Sequence, residues 1–253
     1  MLKVAVISIL FFLPCTKLCS QFSKLESAPF KVKWYKMQSP NFNVFFYKNM
    51  DSIANYTINY LENNYKKIKQ NPNDKIRKTN ILLHGENSIS NAFVTSSPRR
   101  SEFYANARPE SSHFLNNNNW IDLLVNHEYR HLVQRELAYN NKFNKIVHYL
   151  FGQSTASALS RFTMPTWYWE GDAVDFETRE SRYGRGRIPK FTLTSKMNKS
   201  FNNNLKYDKQ VLGSYKNKTP NVYESGYLMV KYLKDNYGID TFNKIVNKAN
   251  KQS

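Results

Sequence analysis

An α+β fold with a small mixed sheet and a mostly helical C-terminal part is the class this chain predicts. Three observations carry that reading. Short alternating apolar segments occur before residue 107, apolar residues recur at helical spacing from about residue 119 onward, and turn residues separate the segments. No internal repeat is visible. A length of 253 residues suits one domain with a sizeable core, or two closely packed subdomains.

The elements follow in order. Phe30-Lys31-Val32-Lys33-Trp34-Tyr35 and Phe42-Asn43-Val44-Phe45-Phe46-Tyr47 alternate as strands do, with Ser39-Pro40-Asn41 as the turn between them. Asp51 to Lys69 reads as an N-capped helix with Ile53, Ala54, Ile58, Leu61 and Tyr65 on one face. Lys78 to His84 is a strand, and residues 91–107, polar and aromatic, suit a strand pair on the lip of a cleft. Helices are expected near 119–139, 143–151, 167–179, 222–237 and 239–249, the fourth stopping at Tyr237-Gly238 as a helix C-cap does. The result is an α/β part over about 30–140 and a helical part over about 141–250. Asn116 to Asn119 and Asn202 to Asn204 read as exposed loops or helix-capping segments.

The first twenty residues read differently. Lys3, the apolar run Val4 to Leu13 and a polar end at Leu18-Cys19-Ser20 have the form of a secretory signal peptide, cut after Ser20. The apolar core is too short for a comfortable bilayer span. Thr16-Lys17-Leu18 lacks the small, uncharged character that lipid attachment at Cys19 would want. Cys15 and Cys19 are the two cysteines, so the exported chain over 21–253 would have neither disulfides nor thiolate metal ligands.

The formal charge is +18, or +16 once Lys3 and Lys17 leave with the signal. Such a balance favours anionic partners: nucleic acid, an anionic envelope surface or acidic substrates. The lysines are scattered among asparagines, with no zinc-finger, RNP or helix-turn-helix signature, and an export signal points away from the genome. The expectation is a basic, solvated surface able to associate with an anionic envelope, and no specific nucleic acid.

His127-Glu128-Tyr129-Arg130-His131 reads H-E-x-x-H inside the helix expected over 119–139. Side chains at i and i+4 share one helix face, so His127 and His131 can hold one divalent metal. Glu128 then stands beside them as general base toward a metal-activated water. A surface helix with two solvated imidazoles is the plainer alternative. The flanks argue against it, because Trp120 to Val125 and Leu132-Val133 embed the pair in apolar sequence, and buried imidazoles need partners.

A hydrolytic zinc takes three protein ligands and keeps one position open. A continuation H-E-x-x-H-x-x-G-x-x-H is excluded, since the chain has Gln134 and Leu137 at its glycine and histidine positions. Downstream, Pro165-Thr166-Trp167-Tyr168-Trp169-Glu170-Gly171-Asp172-Ala173 sets a carboxylate in an aromatic run, where burial is costly unless the group is paired or metal-bound. As an exposed helix residue Glu170 would need neither.

H-E-x-x-H followed by a W-x-x-E-G-type segment resembles the gluzincins, the thermolysin-like and aminopeptidase-N-like zinc metallopeptidases. The resemblance implies a zincin-like fold, one Zn²⁺ per chain and Glu170 as third ligand, with residues 141–160 as an inserted helix and loop. Tyr223-Glu224-Ser225-Gly226 is similar to the Y-x-x-G of aminopeptidase-N-like enzymes, whose tyrosine hydrogen-bonds the oxyanion; the matching residue is Tyr223. An aromatic at a helix start is also ordinary packing in a chain with seventeen tyrosines, and Tyr227 is the next candidate. The strand before the zinc helix is, in gluzincins, an edge that pairs with an extended substrate.

The same enzymes hold the substrate α-amine with the Glu of a G-x-M-E-N segment. Arg100-Ser101-Glu102-Phe103 keeps only that Glu, so Glu102, a candidate for substrate binding, is expected instead to pair with Arg99 or Arg100 at the surface. A cleft without an amine anchor implies endopeptidase action. The runs Asn91 to Val94, Pro98 to Phe103, Trp120 to Gln134, Glu170 to Val174 and Gly184-Arg185-Gly186-Arg187 also resemble the N-terminal peptidase-like domain of large exported bacterial proteins that continue into a β-propeller. This chain stops at Ser253, as either a short form or a truncated reading frame would.

Together these readings imply a secreted zinc peptidase acting on peptide or protein substrates, with His127, His131 and Glu170 as ligands, Glu128 as base and Tyr223 on the oxyanion. Asp172, Asp175 and Glu177 are unranked candidates to orient the ligating imidazoles, and His148 is the alternative third ligand. Two other readings stay open: a non-catalytic envelope-binding module on the same fold, and a metal hydrolase of non-peptide bonds.

Overall fold

The computed structural model describes residues 31–69, 76–96, 98–106, 120–139, 142–162, 164–182, 184–201 and 205–252. The signal-peptide segment with both cysteines, and both Asn runs apart from Asn119's neighbour Trp120, fall outside that set. Five strands form one mixed sheet in the order β1-β2-β3-β5-β4. They are β1 (Trp34–Gln38), β2 (Phe42–Tyr47), β3 (Thr79–His84), β4 (Ala92–Ser96) and β5 (Arg99–Tyr104). The inner strands β2, β3 and β5 run parallel, and the two edges pair antiparallel, β1 on β2 and β4 on β5. Alternation selects the buried face: Phe42, Val44 and Phe46 of β2, Ile81 and Leu83 of β3, Ala92 and Val94 of β4, and Phe103 of β5.

Helix α1 (Asp51–Lys69) packs on β2 through buried Ala54, Ile58 and Leu61. Helix α2 (Trp120–Tyr139) lies against α1, β4 and β5 on one side and against the C-terminal helices on the other. It is therefore buried nearly all round, and its polar residues must find partners inside the protein. Asn126 donates to Tyr60 Oη (3.1 Å), and Glu136 pairs with Arg99 (2.9 Å) and Arg77 (3.1 Å). Arg130, fully buried, donates to Asp172 Oδ2 at 2.6 Å.

The remaining elements are α3 (Lys142–Phe162), α4 (Thr166–Glu180), two short 3₁₀ turns (Arg185–Arg187 and Pro189–Thr192), α5 (Leu193–Ser200), α6 (Tyr207–Leu212), α7 (Val222–Tyr237) and α8 (Thr241–Gln252). The crossing of α4 and α7 is the tightest joint. A Cβ on Gly171 would sit 2.2 Å from Gly226 O, and one on Gly226 would sit 2.2 Å from Trp167 O, so the two backbones touch where both side chains are missing. Asp172 locks the joint electrostatically, accepting from Lys234 Nζ of α7 (2.6 Å) as well as from Arg130, while Lys234 also reaches Asp175 (2.7 Å). Phe242 of α8 closes the cluster, stacked on Tyr168 (4.7 Å between ring centroids) and under the Arg130 guanidinium (5.2 Å).

The α+β class with a small mixed sheet is observed, and several expectations are corrected. Of the strand expected from Phe30, Phe30 itself lies outside the described residues and residues 31–33 are not in a strand; among the described residues β1 runs from Trp34 on to Gln38, where partners on β2 are found. Ile53 is exposed rather than on the inner face of α1. The strand before α2 is β5, an inner strand; the edge is β4, since the chain turns back between Ser96 and Arg99. Residues 142–162 are helical, broken at Gly152, where φ is 83°. Helices α5 and α6 were not expected; six to eight polar, Lys-rich residues carry too little periodicity to register. Among the described residues no helix is long and apolar enough to cross a membrane.

Gly226→Ala should force α4 and α7 apart and cost about 2 kcal/mol or more, a fall of roughly 4–8 °C in Tm. Thermal unfolding of the variant checks this. An unchanged Tm would mean that the two backbones do not meet at these glycines.

Candidate metal centre

The H-E-x-x-H segment is helical and central in α2, and α4 presents Glu170 to it. Three atoms converge: His127 Nε2 and His131 Nε2 are 3.2 Å apart, and Glu170 Oε2 lies 3.4 Å from the first and 3.3 Å from the second. Two ligands bound to one zinc at 2.0–2.1 Å with tetrahedral angles are about 3.3 Å apart, so this triangle has the dimensions of one tetrahedral face. The group could hold a metal ion.

The hydrogen bonds behind the ligands decide what the three atoms carry. Gln134 Nε2 donates to Trp169 O (3.0 Å) and Asp172 Oδ2 (2.8 Å), which fixes the amide and turns its Oε1 to His131 Nδ1 at 2.8 Å. That oxygen can only accept, so the His131 proton sits on Nδ1 and its lone pair on Nε2. His127 Nδ1 lies 2.9 Å from Glu177 Oε2. Arg185 Nη2 is also close to this nitrogen, at 2.6 Å, but a ring nitrogen that donates its proton to Glu177 has no lone pair left to accept from Arg185. The guanidinium already grips both Glu177 oxygens, at 2.6 and 2.9 Å, so the carboxylate takes the Nδ1 proton and His127 too aims a lone pair inward.

Two lone pairs and a carboxylate oxygen thus face one another, and Glu170 Oε2 is buried without a hydrogen bond among the described residues. Such a cluster could hold a cation. Without a metal, burial and Arg185 disfavour charge on His127, yet the Glu170 and Glu177 carboxylates beside it prevail and its pKa is pushed up to about 9, so a proton then occupies the inward lone pair. Burial would raise the Glu170 carboxyl, but the His131 and His127 imidazoles hold it far below the usual carboxylate range. Glu177, against its own burial, is held down at about 2, chiefly by Arg185. A divalent ion would compete with that proton for the same inward lone pair.

Glu128, adjacent to His127, is buried, and no hydrogen bond or ion pair among the described residues engages its carboxylate. Tyr223, at the start of α7, joins the site across the glycine joint: its ring is 6.2 Å from the His127 ring and lies under the Arg185 guanidinium at 5.0 Å. Burial, then the Glu170 charge, pushes its hydroxyl up to about 12, so it stays a neutral donor at physiological pH. Tyr227, the alternative, is buried among Val174 and Phe191, in the core.

Of the three orienting candidates only Glu177 reaches a ligating imidazole directly. Asp172 acts on His131 through Gln134, and Asp175 pairs with Lys234 and Arg179. The expected pair of Glu102 with Arg100 is present (2.6 Å), but not at the surface: Glu102 is buried on β5 and also held by His84 (2.9 Å), while Arg99 pairs with Glu136. The extended inner strand, not the surface, sets its surroundings, and His84 was an unforeseen partner. His148 is not in the metal group. Gln134 and Arg185 went unnoticed as site residues. Gln134 was findable at i+3 from His131 on one helix face, and Glu177 at two turns from Glu170; Arg185, on a turn between Gly184 and Gly186, gives no local signal.

Replacing His127, His131 or Glu170 with Ala should remove most bound zinc, and Glu177→Gln should weaken it about 10–100-fold, read by chelator competition. Full zinc in Glu170→Ala would move the third ligand elsewhere. No protein-family model, curated protein or solved structure matches the chain, so the chemistry of this centre rests on its own geometry.

Proposed function

We propose that this chain is an exported zinc-dependent peptidase of the gluzincin kind, with a zincin-like fold and internal cleavage of polypeptides. The observation that carries the reading is the convergence of His127 Nε2, His131 Nε2 and Glu170 Oε2 at 3.2–3.4 Å, with the Glu128 carboxylate, unpaired among the described residues, and the neutral Tyr223 phenol beside them.

Bound Zn²⁺ would supply Lewis acidity, lowering the pKa of water toward neutrality and polarising a carbonyl. The chain's own groups do the rest. Glu128 takes the proton of the attacking water and returns it to the leaving amine, a role that needs a carboxylate not committed to an ion pair. Tyr223 donates its hydroxyl proton to the developing oxyanion and is held against drift by Arg185 stacked on its ring. Glu177 and Gln134 keep both imidazoles in the ligating tautomer.

The substrate path follows from the sheet. β4 is an edge beside α2, tied to it by Arg135, which donates to Val94 O at 2.7 Å. An extended peptide would pair along that edge. Glu102 is already engaged by Arg100 and His84, so it is not available as an amine anchor that would limit the enzyme to chain ends.

Wild-type protein should therefore cut N-acetylated peptides internally. Glu128→Gln should keep its zinc and lose about 10²–10⁴-fold in hydrolysis, measured on a peptide library. Equal cleavage by the variant would reject Glu128 as the base. A zinc-loaded wild type that cuts no peptide would favour a binding module instead.

A further inference from the structure

The first half of α3 turns its apolar side outward. Between Lys142 and Gly152 only Asn144 and Val147 are buried, while Phe143, Ile146, Tyr149, Leu150 and Phe151 are 50, 57, 87, 62 and 67% exposed. This reverses the usual arrangement of a surface helix, and five large apolar side chains in nine residues exceed the scattered exposure normal for a surface. Phe143, Ile146 and Leu150 follow one another along a single stripe, with Tyr149 and Phe151 beside it. Lys142 and Lys145, both exposed, stand one turn before Ile146 and Tyr149. Gly152, at φ 83°, ends the run.

We infer that this face is a membrane-surface anchor whose occupant is a bilayer carrying anionic headgroups. The apolar stripe would enter the boundary of the acyl chains, and the lysine stems would extend their ammonium groups to the phosphates. Charge complementarity favours this occupant: the chain carries a formal +18, or +16 without Lys3 and Lys17, which draws it to an anionic leaflet and repels a second copy. In a two-fold pairing of the same face, Lys142 and Lys145 would also be brought toward their counterparts. No described helix can cross a bilayer, so the contact is one of lying on the surface. Because α3 packs on α2 and β4, the anchor would hold the metal centre and the sheet edge next to the membrane. The inference stands apart from catalysis and holds whether or not the centre hydrolyses peptides.

The test is partition of the purified protein onto vesicles of phosphatidylglycerol and phosphatidylethanolamine, with pure phosphatidylcholine as the neutral comparison. Wild type should bind the anionic vesicles and leave the neutral ones. The triple variant Ile146→Ser, Leu150→Ser, Phe151→Ser should keep the wild-type unfolding transition, since these side chains face outward, and bind about tenfold less or weaker still. In a Tyr149→Trp protein, fluorescence should shift to the blue on binding and be quenched by brominated acyl chains. Equal partition of the triple variant, or an unquenched Trp, would reduce the binding to adsorption by general basic charge and overturn the proposal. A concentration-dependent dimer of wild type that the triple variant abolishes would also overturn it, with a second copy as the occupant.

Discussion

Asp172 has no route to water, so its charge has to be met by protein groups, and the groups that meet it come from two other helices. Arg130 and Gln134 reach it from α2, and Lys234 from α7. Lys234 also meets a second carboxylate, Asp175, which Arg179 joins from the rim. Such a buried network contributes little net stability compared with well-packed apolar residues, but removing one member strands the others at about 3–5 kcal/mol. Its value here is positional. It fixes the rotation of α2 against α4, and through Gln134 it settles which nitrogen of His131 faces Glu170.

The glycine joint supplies the complementary constraint, in distance rather than charge. With Gly171 and Gly226 in backbone contact, the residues that flank them are carried to one place, Glu170 from α4 and Tyr223 from one turn earlier on α7. Glu170-Gly171 and Tyr223-x-x-Gly226 are thus two halves of a single contact. A side chain at either glycine would move the third ligand candidate and the phenol away from the histidines together.

This also explains which parts of the molecule were legible in the sequence. The helical spacing of His127 and His131, the aromatic setting of Glu170 and the alternation along β2 and β3 are local patterns, and local patterns survive in one dimension. Glu102 shows the opposite case. Next to Arg100 in sequence it looked like half of a surface ion pair, and only the parallel pairing of β3 with β5 brings His84 to it. The order of β4 and β5 in the sheet and the reach of Arg185 across to His127 are likewise tertiary facts with no local counterpart. Zinc chemistry, export and the zincin-like fold are inferences resting on the cluster and on resemblance.

The chemistry proposed for this centre depends on a cation held by His127, His131 and Glu170. X-ray absorption at the zinc edge, on protein supplied with one equivalent of metal, reads its surroundings most directly. The expected spectrum is a four-coordinate nitrogen and oxygen shell at about 2.0–2.1 Å, with the outer-shell scattering of two imidazoles and no sulfur. A protein that takes up no zinc at neutral pH, or a six-coordinate all-oxygen shell, would contradict it.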